Sequence, residues 1–449
     1  MAQLHLQKKV AVLGLGITGL ASVNFLLAQG YAVSVFDTRQ APPGEDKLAP
    51  DVELIKGPLC GESLSAFTLI VSSPGIALAT PALQFAIQFG CEVIGDIELF
   101  ARMLKTKAYQ HAKCVTITGS NGKSTVTSLL GEMAINSGVK VAVGGNIGIP
   151  ALDLLSPDID LYILELSSFQ LETTYSLNAD IATILNLSED HLDRYDSYQH
   201  YIDTKHRIYE QAKIVLFNSE DSLTFVRDEM KMAKSFAFHD ADYHIISDTN
   251  NSHYLTKGEQ KLLAVTQLKL SGKHNWLNAL AAIALGDAVD LKLQAMLTTL
   301  TTYTGLEHRC EFVAQHLGVR WINDSKATNI GATQAALQGL SETISGEVHL
   351  ILGGEGKGAD FTDLSPFLTQ VKGTICCFGA DAIKINAANP QSIIVADLSA
   401  AIIEIASTVN AGDLVILSPA CASLDMYPNF MARGEHFKTL VNHLILGEK

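Results

Sequence analysis

The sequence contains no C-x-x-C pair, no block of like charges and no low-complexity tract. Each absence removes a class of protein. The seven cysteines are odd in number and scattered, with only Cys376 and Cys377 adjacent, which argues against a disulfide framework or a cysteine-built metal site and for reduced thiols in a cytoplasmic protein. The lack of any cationic cluster, together with a net charge of −15, excludes nonspecific binding to nucleic acid or an anionic membrane, because a phosphate backbone demands grouped cations. Any phosphate site must therefore be local. Charged residues make up only 18% of the chain against 47% hydrophobic, a balance that excludes extended disorder, and no repeat of solenoid period is present.

One uncharged stretch, Val10 to Ala28 after Lys8 and Lys9, imitates a membrane span by length. Gly14, Gly16 and Gly19 at G-x-G-x-x-G spacing, with polar Thr18, Ser22 and Asn24 inside the run, predict a strand, turn and helix instead. No membrane insertion is expected.

At 449 residues the chain is too long for one hydrophobic core and predicts about three domains. Apolar strands alternate with helical stretches throughout, so the fold class is α/β with parallel sheets. The first domain, 1–104, holds "KVAVLGLG", a helix from Thr18 to Gly30, "AVSVFD" ending at Asp37, and "LIVSSPGI". The second, 105–305, holds "KCVTITGS" and its helix, "DLYILELSS", "ADIATILNLSEDHLD", and an alanine-rich helix stopping at Gly286. The third, 306–449, repeats the alternation from "VRWINDSKATN" to "GDLVILSPACAS".

The middle domain carries the clearest chemistry. In a parallel sheet, ligands bind at the carboxyl ends of strands, where helix N-termini converge. The first such end leads into Gly119, Ser120, Asn121, Gly122, Lys123, Ser124 and Thr125. Small residues let backbone N–H groups approach phosphate oxygens, Lys123 offsets their charge, and a Ser124 or Thr125 hydroxyl can join a magnesium shell. The usual first glycine of such loops falls on Ile117, so the loop is shortened. The second strand ends at Glu165 and the third at Glu189, Asp190 and His191. A carboxylate beside a phosphate loop suits magnesium; His191 is an unusual ligand for it and could equally be a hydrogen-bonded loop histidine. Asp193 and Arg194 read as a local ion pair, and Lys205 in "YIDTKHRIYEQAK" as a solvated helix position. These parts make an ATPase-type site that could serve hydrolysis, transport or ligation.

Taken in order, "TGSNGKST", "GGNIG", "LELSSFQLE", "NLSEDHLDRY", "KHRIYE", "GKHNWLNALAA", "EHRCE", "NDSKATN" and "LSPACASLD" resemble the Mur ligases, ATP-dependent amide-bond-forming enzymes of bacterial cell-wall synthesis. The resemblance spans nearly the whole chain. It implies a Rossmann-like N-terminal domain, a central P-loop ATPase-like domain and a Rossmann-like C-terminal domain. Within the family, "GLGITGLAS", "FDTR", "SSPGI" and "DSKATN" are similar to the branch that adds D-glutamate to UDP-N-acetylmuramoyl-L-alanine. The resemblance further implies a cytoplasmic monomer that uses ATP and magnesium at two sites, with manganese as an alternative. Ser124, Glu165, His191 and Lys205 would hold the metal, Lys205 as a carbamate formed with CO2. Lys123, His191, Lys205 and Lys326 would be catalytic. Asn275, Asn278, Arg309 and Asp324 would join the phosphate loop around ATP. Ile17, Thr18, Asp37, Thr38, Arg39 and Gly75 would hold the UDP moiety, Asn146, Gln170 and His191 the sugar and peptide side, and Thr328, Lys357, Ser423 and Phe430 the D-glutamate.

Three alternatives stand beside this. "GLGITG" with Asp37 at a strand end is the ordinary pattern for NAD, so a dehydrogenase is the reading from a different class. A UDP-sugar sensor without turnover is another. Inside the superfamily, the alanine-adding ligase and folylpolyglutamate synthase share the same parts. "GGEGKGAD" also imitates a phosphate loop, although Gly358 rather than a hydroxyl follows Lys357, and a plain glycine-rich loop would account for it. Asp324 could be no more than a cap or turn aspartate.

Overall fold

The computed structural model describes residues 9–446 except 229, 271 and 342–344. Apolar, β-branched runs become strands wherever helices can cover both of their faces, and the chain is α/β with three sheets. In the first, β1 (Lys9–Leu13), β2 (Ala32–Asp37), β3 (Glu53–Lys56), β4 (Leu69–Ser72) and β5 (Glu92–Ile94) lie parallel in the order β3-β2-β1-β4-β5. The glycine turn after β1 needs its glycines. Gly14 sits at φ 82°, and a Cβ on Gly19 would fall 1.9 Å from the Gly14 carbonyl oxygen, so only glycine lets the helix Ile17–Ala28 pass this close to the strand.

The second sheet contains β6 (Lys113–Thr118), β7 (Val141–Gly145), β8 (Leu161–Glu165), β9 (Ile181–Ile184), β10 (Ile214–Asn218), β11 (Met232–Phe236), β12 (Tyr243–Ser247), β13 (His253–Lys257) and β14 (Gln260–Ala264). Its order is β14-β13-β12-β11-β10-β9-β6-β8-β7. From β7 to β12 the pairing is parallel, and the edge is an antiparallel meander that continues through β13 and β14. Two expectations change here. The third strand end falls at Ile184, so Glu189 to His191 belong to the loop that follows rather than to the strand. The alanine-rich helix overruns Gly286 to Ala288 and closes on Asp290 at φ 65°. That helix and Lys123–Asn136 pack together, and Ala279 through Leu285 are almost wholly buried. Each leucine or isoleucine so buried contributes about 1.5–3 kcal/mol.

The third sheet, β15 (Glu311–His316), β16 (Val319–Asn323), β17 (Val348–Gly353), β18 (Ile375–Phe378), β19 (Ile393–Ile394) and β20 (Leu414–Leu417), runs β15-β16-β20-β17-β18-β19 and is parallel apart from β15. The cores are not shared equally. One cluster joins Val10, Ile97 and Phe100 of the first region to Tyr162 and Leu171 of the second, whereas the third region has clusters of its own around Leu350 and Ile351. Among the described residues, no helix is long and apolar enough to cross a membrane.

Candidate active site

The phosphate-type loop leaves β6 at Thr118 and turns through Gly119 at φ 149° and Gly122 at φ 81° into the helix Lys123–Asn136. A Cβ on Gly122 would meet the Asn278 side-chain oxygen at 2.6 Å, so glycine brings this turn against the second helix. Lys123 Nζ folds back to donate to the carbonyls of Gly119 at 2.7 Å and Ser120 at 3.0 Å. Burial pulls its pKa down, while Glu165 and Asp190 oppose the shift.

Glu165 stands at the tip of β8, 2% exposed. Its Oε1 accepts from Asn146 at 2.8 Å and its Oε2, buried, has no partner. Burial pushes this carboxyl up, yet Lys123, then Ser124 and Asn146, and the Arg309 charge bring it below the ordinary value. A buried anionic oxygen without a donor is the arrangement a hard cation fits. His191 has φ 56° and packs its ring 4.7 Å from that of Phe169. Burial takes its pKa down to about 4 against the pull of Asp190, which leaves a neutral imidazole with a lone pair to offer.

Lys205 corrects the reading of a solvated helix lysine. It is 2% exposed on the helix Tyr198–His206, donates to Thr118 Oγ1 and the Gly119 carbonyl, each at 3.1 Å, and lies 5.0 Å from the centre of the Tyr201 ring. Burial, then the Lys123 ammonium, hold its pKa well below the usual lysine value. Such an amine is chemically able to add CO2, and the anion formed would lie beside Lys123. The donor set of a hydroxyl at Ser124, a carboxylate at Glu165 and a neutral imidazole at His191 fits magnesium or manganese.

These groups line one cavity of about 220 Å3, with Ser120, Asn121, Gly122, Asn146, Arg309, Lys326 and Thr328 also on its walls. A second cavity, of about 310 Å3, shares Asn121, Gly122, Arg309 and Lys326 with it and adds Thr125, Asn275, Asn278 and Asp324. There Asn278 donates to Asn275 Oδ1 at 2.9 Å and Arg309 donates to Ser124 Oγ at 2.6 Å. Asp324 is more than a cap. It is buried, accepts from Cys310 N at 3.1 Å and Ser418 Oγ at 2.8 Å, and burial raises its pKa to about 6. Lys326, its pKa lowered by burial and by Arg309 to about 7, lies 4.0 Å from the centre of the Phe430 ring.

A third cavity, about 440 Å3, opens beside the glycine turn of the first sheet. Ile17, Thr18, Asp37, Thr38, Arg39, Gly75, Asn146 and Gln170 line it, so Asn146 faces this cavity and the Glu165 cavity at once. Both Asp37 oxygens are engaged, by Leu15 N at 2.7 Å, Arg39 N at 2.8 Å and the Arg39 guanidinium at 2.6 and 2.9 Å. The dehydrogenase reading needs this carboxylate for a ribose hydroxyl. Arg39 instead saturates it and holds its pKa near 2.

Not every expected residue faces these cavities. Lys357, at φ 54°, is tied to Asp190 across the two regions. Ser423 and Phe430 border none of the three; the Ser423 carbonyl accepts from Met426 and Tyr427. Arg194 does not pair with Asp193 but with Glu172, at 2.9 Å. Asp190, Phe169 and Asn329 had no assigned role: Asn329 donates to Asn121 Oδ1 at 3.3 Å and Asp190 Oδ2 at 3.2 Å. Its place in "DSKATN", three residues after Lys326, was the available signal.

Comparison with known proteins bears on the family and the fold. The chain matches "Mur ligase MurD-like, N-terminal domain" over residues 8–95, "Mur ligase middle domain" over 117–286 and "Mur ligase, glutamate ligase domain" over 308–421. It is 51% identical over 440 residues to the UDP-N-acetylmuramoylalanine--D-glutamate ligases of Salmonella paratyphi A and Escherichia coli strain K12, covering 97% of this chain and 98% of each relative. Among solved structures, UDP-N-acetylmuramate-alanine ligase from Thermotoga maritima superposes with a TM-score of 0.62 at 18% identity, covering 97% of this chain and 99% of that one. MurF ligase from the same organism, in complex with ADP, gives 0.61 at 15% identity with 100% of both chains covered. At such identities the structural likeness speaks for the three-domain fold, and the near full-length sequence match for the family. On both grounds, the chain belongs to the Mur ligase family.

Proposed function

We propose that this protein is a cytoplasmic, monomeric ligase that joins D-glutamate to UDP-N-acetylmuramoyl-L-alanine at the expense of ATP, a step of peptidoglycan precursor synthesis. One observation carries the reading: the cavity of Lys123, Glu165, His191 and Lys205 shares Asn146 with the cavity beside the glycine turn and Gly122 and Arg309 with the cavity of Asn275 and Asn278. A nucleotide on one side and a nucleotide-linked acid on the other would meet at that junction.

The chemistry follows from what a carboxylate lacks. It is a poor electrophile, and taking a phosphoryl group from ATP turns it into an acyl phosphate with a good leaving group. Asn275 and Asn278 would flank the adenine, and backbone N–H groups from Gly119 to Thr125, with Lys123 and Arg309, would hold the phosphates. Ile17, Thr18, Thr38, Arg39 and Gly75 would hold the UDP portion, with Asn146 and Gln170 turned towards the sugar and peptide. Magnesium, or manganese, held by Ser124, Glu165, His191 and a carbamate on Lys205, would neutralise the crowded anions and align them. Lys326 and Thr328 face the same cavity from the third sheet, and Lys357, once it leaves Asp190, would receive a carboxylate of D-glutamate. The amine then attacks the acyl carbon and phosphate departs. Arg309 and Lys326 close the cavity from the third region, which keeps water away from a hydrolysable intermediate.

The test is phosphate release with ATP, the UDP substrate and a panel of D- and L-amino acids. Release that depends on D-glutamate supports the reading. Dependence on another amino acid, or on a folate in place of the UDP compound, would reassign the protein within its superfamily, and NADH binding without ATP turnover would remove it from the ligases.

A further inference from the structure

Arg194 is exposed to only 12% although the loop that carries it also carries the exposed Asp193. Its guanidinium makes contacts in three directions. Nη2 pairs with Glu172 Oε2 at 2.9 Å. The guanidinium carbon lies 4.4 Å from the centre of the Phe169 ring. Nη1 and Nη2 reach the carbonyls of Gly75 and Ile76, each at 3.4 Å, on the turn after β4. The Phe169 ring in turn packs on His191, and the Arg194 backbone N–H donates to the His191 carbonyl at 2.9 Å. Gly75 and Ile76 line the cavity beside the glycine turn, and Phe169 and His191 line the cavity of Glu165. One side chain thus touches the wall of the first cavity and, through a single ring, the imidazole in the second.

We propose that Arg194 is a positioning residue that couples the Gly75–Ile76 turn to the His191 ring through Phe169. Seating of the UDP portion would then fix the imidazole beside the carboxylate to be activated. The coupling rests on the ligase reading above. A planar fork of donors is required: it stacks on a ring, pairs with a carboxylate and still reaches two carbonyls, which a lysine ammonium cannot do together. Contacts of this kind set geometry rather than chemistry, and small misplacements of a catalytic group are costly in rate.

The experiment is steady-state kinetics of the full chain with all three substrates, for wild type, Arg194→Lys and Phe169→Leu. Arg194→Lys is expected to raise KM for the UDP substrate and to lower kcat, each about tenfold, as loss of charge-assisted hydrogen bonds implies, with KM for ATP unchanged. Phe169→Leu, which removes the ring that Arg194 and His191 both touch but leaves the Arg194 contacts to Glu172, Gly75 and Ile76, is expected to lower kcat and leave KM for the UDP substrate in place. Unchanged kinetics in Arg194→Lys, or a kcat loss with an unaltered KM for the UDP substrate, overturns the coupling. Should Arg194→Lys fail to fold, Glu172→Gln, which keeps the guanidinium but removes its ion partner, carries the test: the same paired shift supports the coupling and its absence defeats it. Absence of D-glutamate-dependent turnover in wild type would refute the ligase reading itself, a result separate from any behaviour of the variants.

Discussion

Two lysines a few ångströms from the same carbonyl do different work. Lys123 and Lys205 both donate to the Gly119 carbonyl, and two ammonium groups packed so closely in a buried site repel each other. Burial, then the Lys123 ammonium, hold the Lys205 pKa well below the usual lysine value. On the proposed reading the amine would take up CO2, and the carbamate would let Lys205 serve a cation site. Lys205→Ala is therefore expected to be inactive and partly rescued by acetate or another short carboxylate in a phosphate-release assay; full activity without the additive would end the carbamate argument. Lys123 lines the catalytic cavity but not the cavity of Thr18 and Arg39. Lys123→Ala is expected to lower turnover by on the order of a hundredfold or more, as removal of a charge-stabilising donor does, while calorimetry with the UDP substrate still detects binding.

At the scale of elements, the helix Asp96–Leu104 fastens the first sheet to the second. Glu98 accepts from the backbone N–H groups of Tyr175 and Ser176 at 2.9 and 2.8 Å. Asp96 accepts from Gln170 at 3.4 Å, and its buried Oδ1 has no partner. Burial raises the Asp96 pKa from 3.8 to about 6. A carboxyl that is easier to protonate when folded stabilises the fold below its unfolded pKa, and the benefit is lost as pH rises between about 4 and 6. Asp96→Asn is expected to raise stability at pH 7 by about 1–3 kcal/mol in denaturant melts, with no gain below pH 4; no gain at pH 7 contradicts the argument. Sequence periodicity shows neither this join nor several other features. The glycine turn, the phosphate-type loop and Glu165 at a strand tip were legible because each is a local pattern fixed by backbone geometry. The burial of Lys205, the Arg194 ion pair with Glu172 and the Lys357 tie to Asp190 were not, since their partners lie 22 to 167 residues away. The meander of β13 and β14 was missed because its alternation is weak and both strands are short.

Across the whole molecule, the distribution of cores divides what moves from what stays. The first and second regions share one apolar cluster. The third meets the second where the helix Ile330–Ser341 touches the helix Lys273–Ala288 and through polar contacts: Arg309 to Ser124, Asn329 to Asn121 and Asp190, and Lys357 to Asp190. Polar joins of this kind part more readily than a shared core and weaken with salt. Small-angle scattering of the free protein is therefore expected to show a larger radius of gyration in Lys357→Ala and at high salt, and a return to the compact value with an ATP analogue and D-glutamate. An identical radius under all four conditions would mean that the third region is fixed in place.

The proposed function places a single chemical event, the transfer of a phosphoryl group to a carboxylate, at the junction of the three cavities. The direct test labels the terminal carboxylate of UDP-N-acetylmuramoyl-L-alanine with a heavy oxygen isotope and analyses the inorganic phosphate after one round of ligation by mass spectrometry. Acyl-phosphate chemistry predicts one labelled oxygen in each phosphate released. Unlabelled phosphate would contradict it.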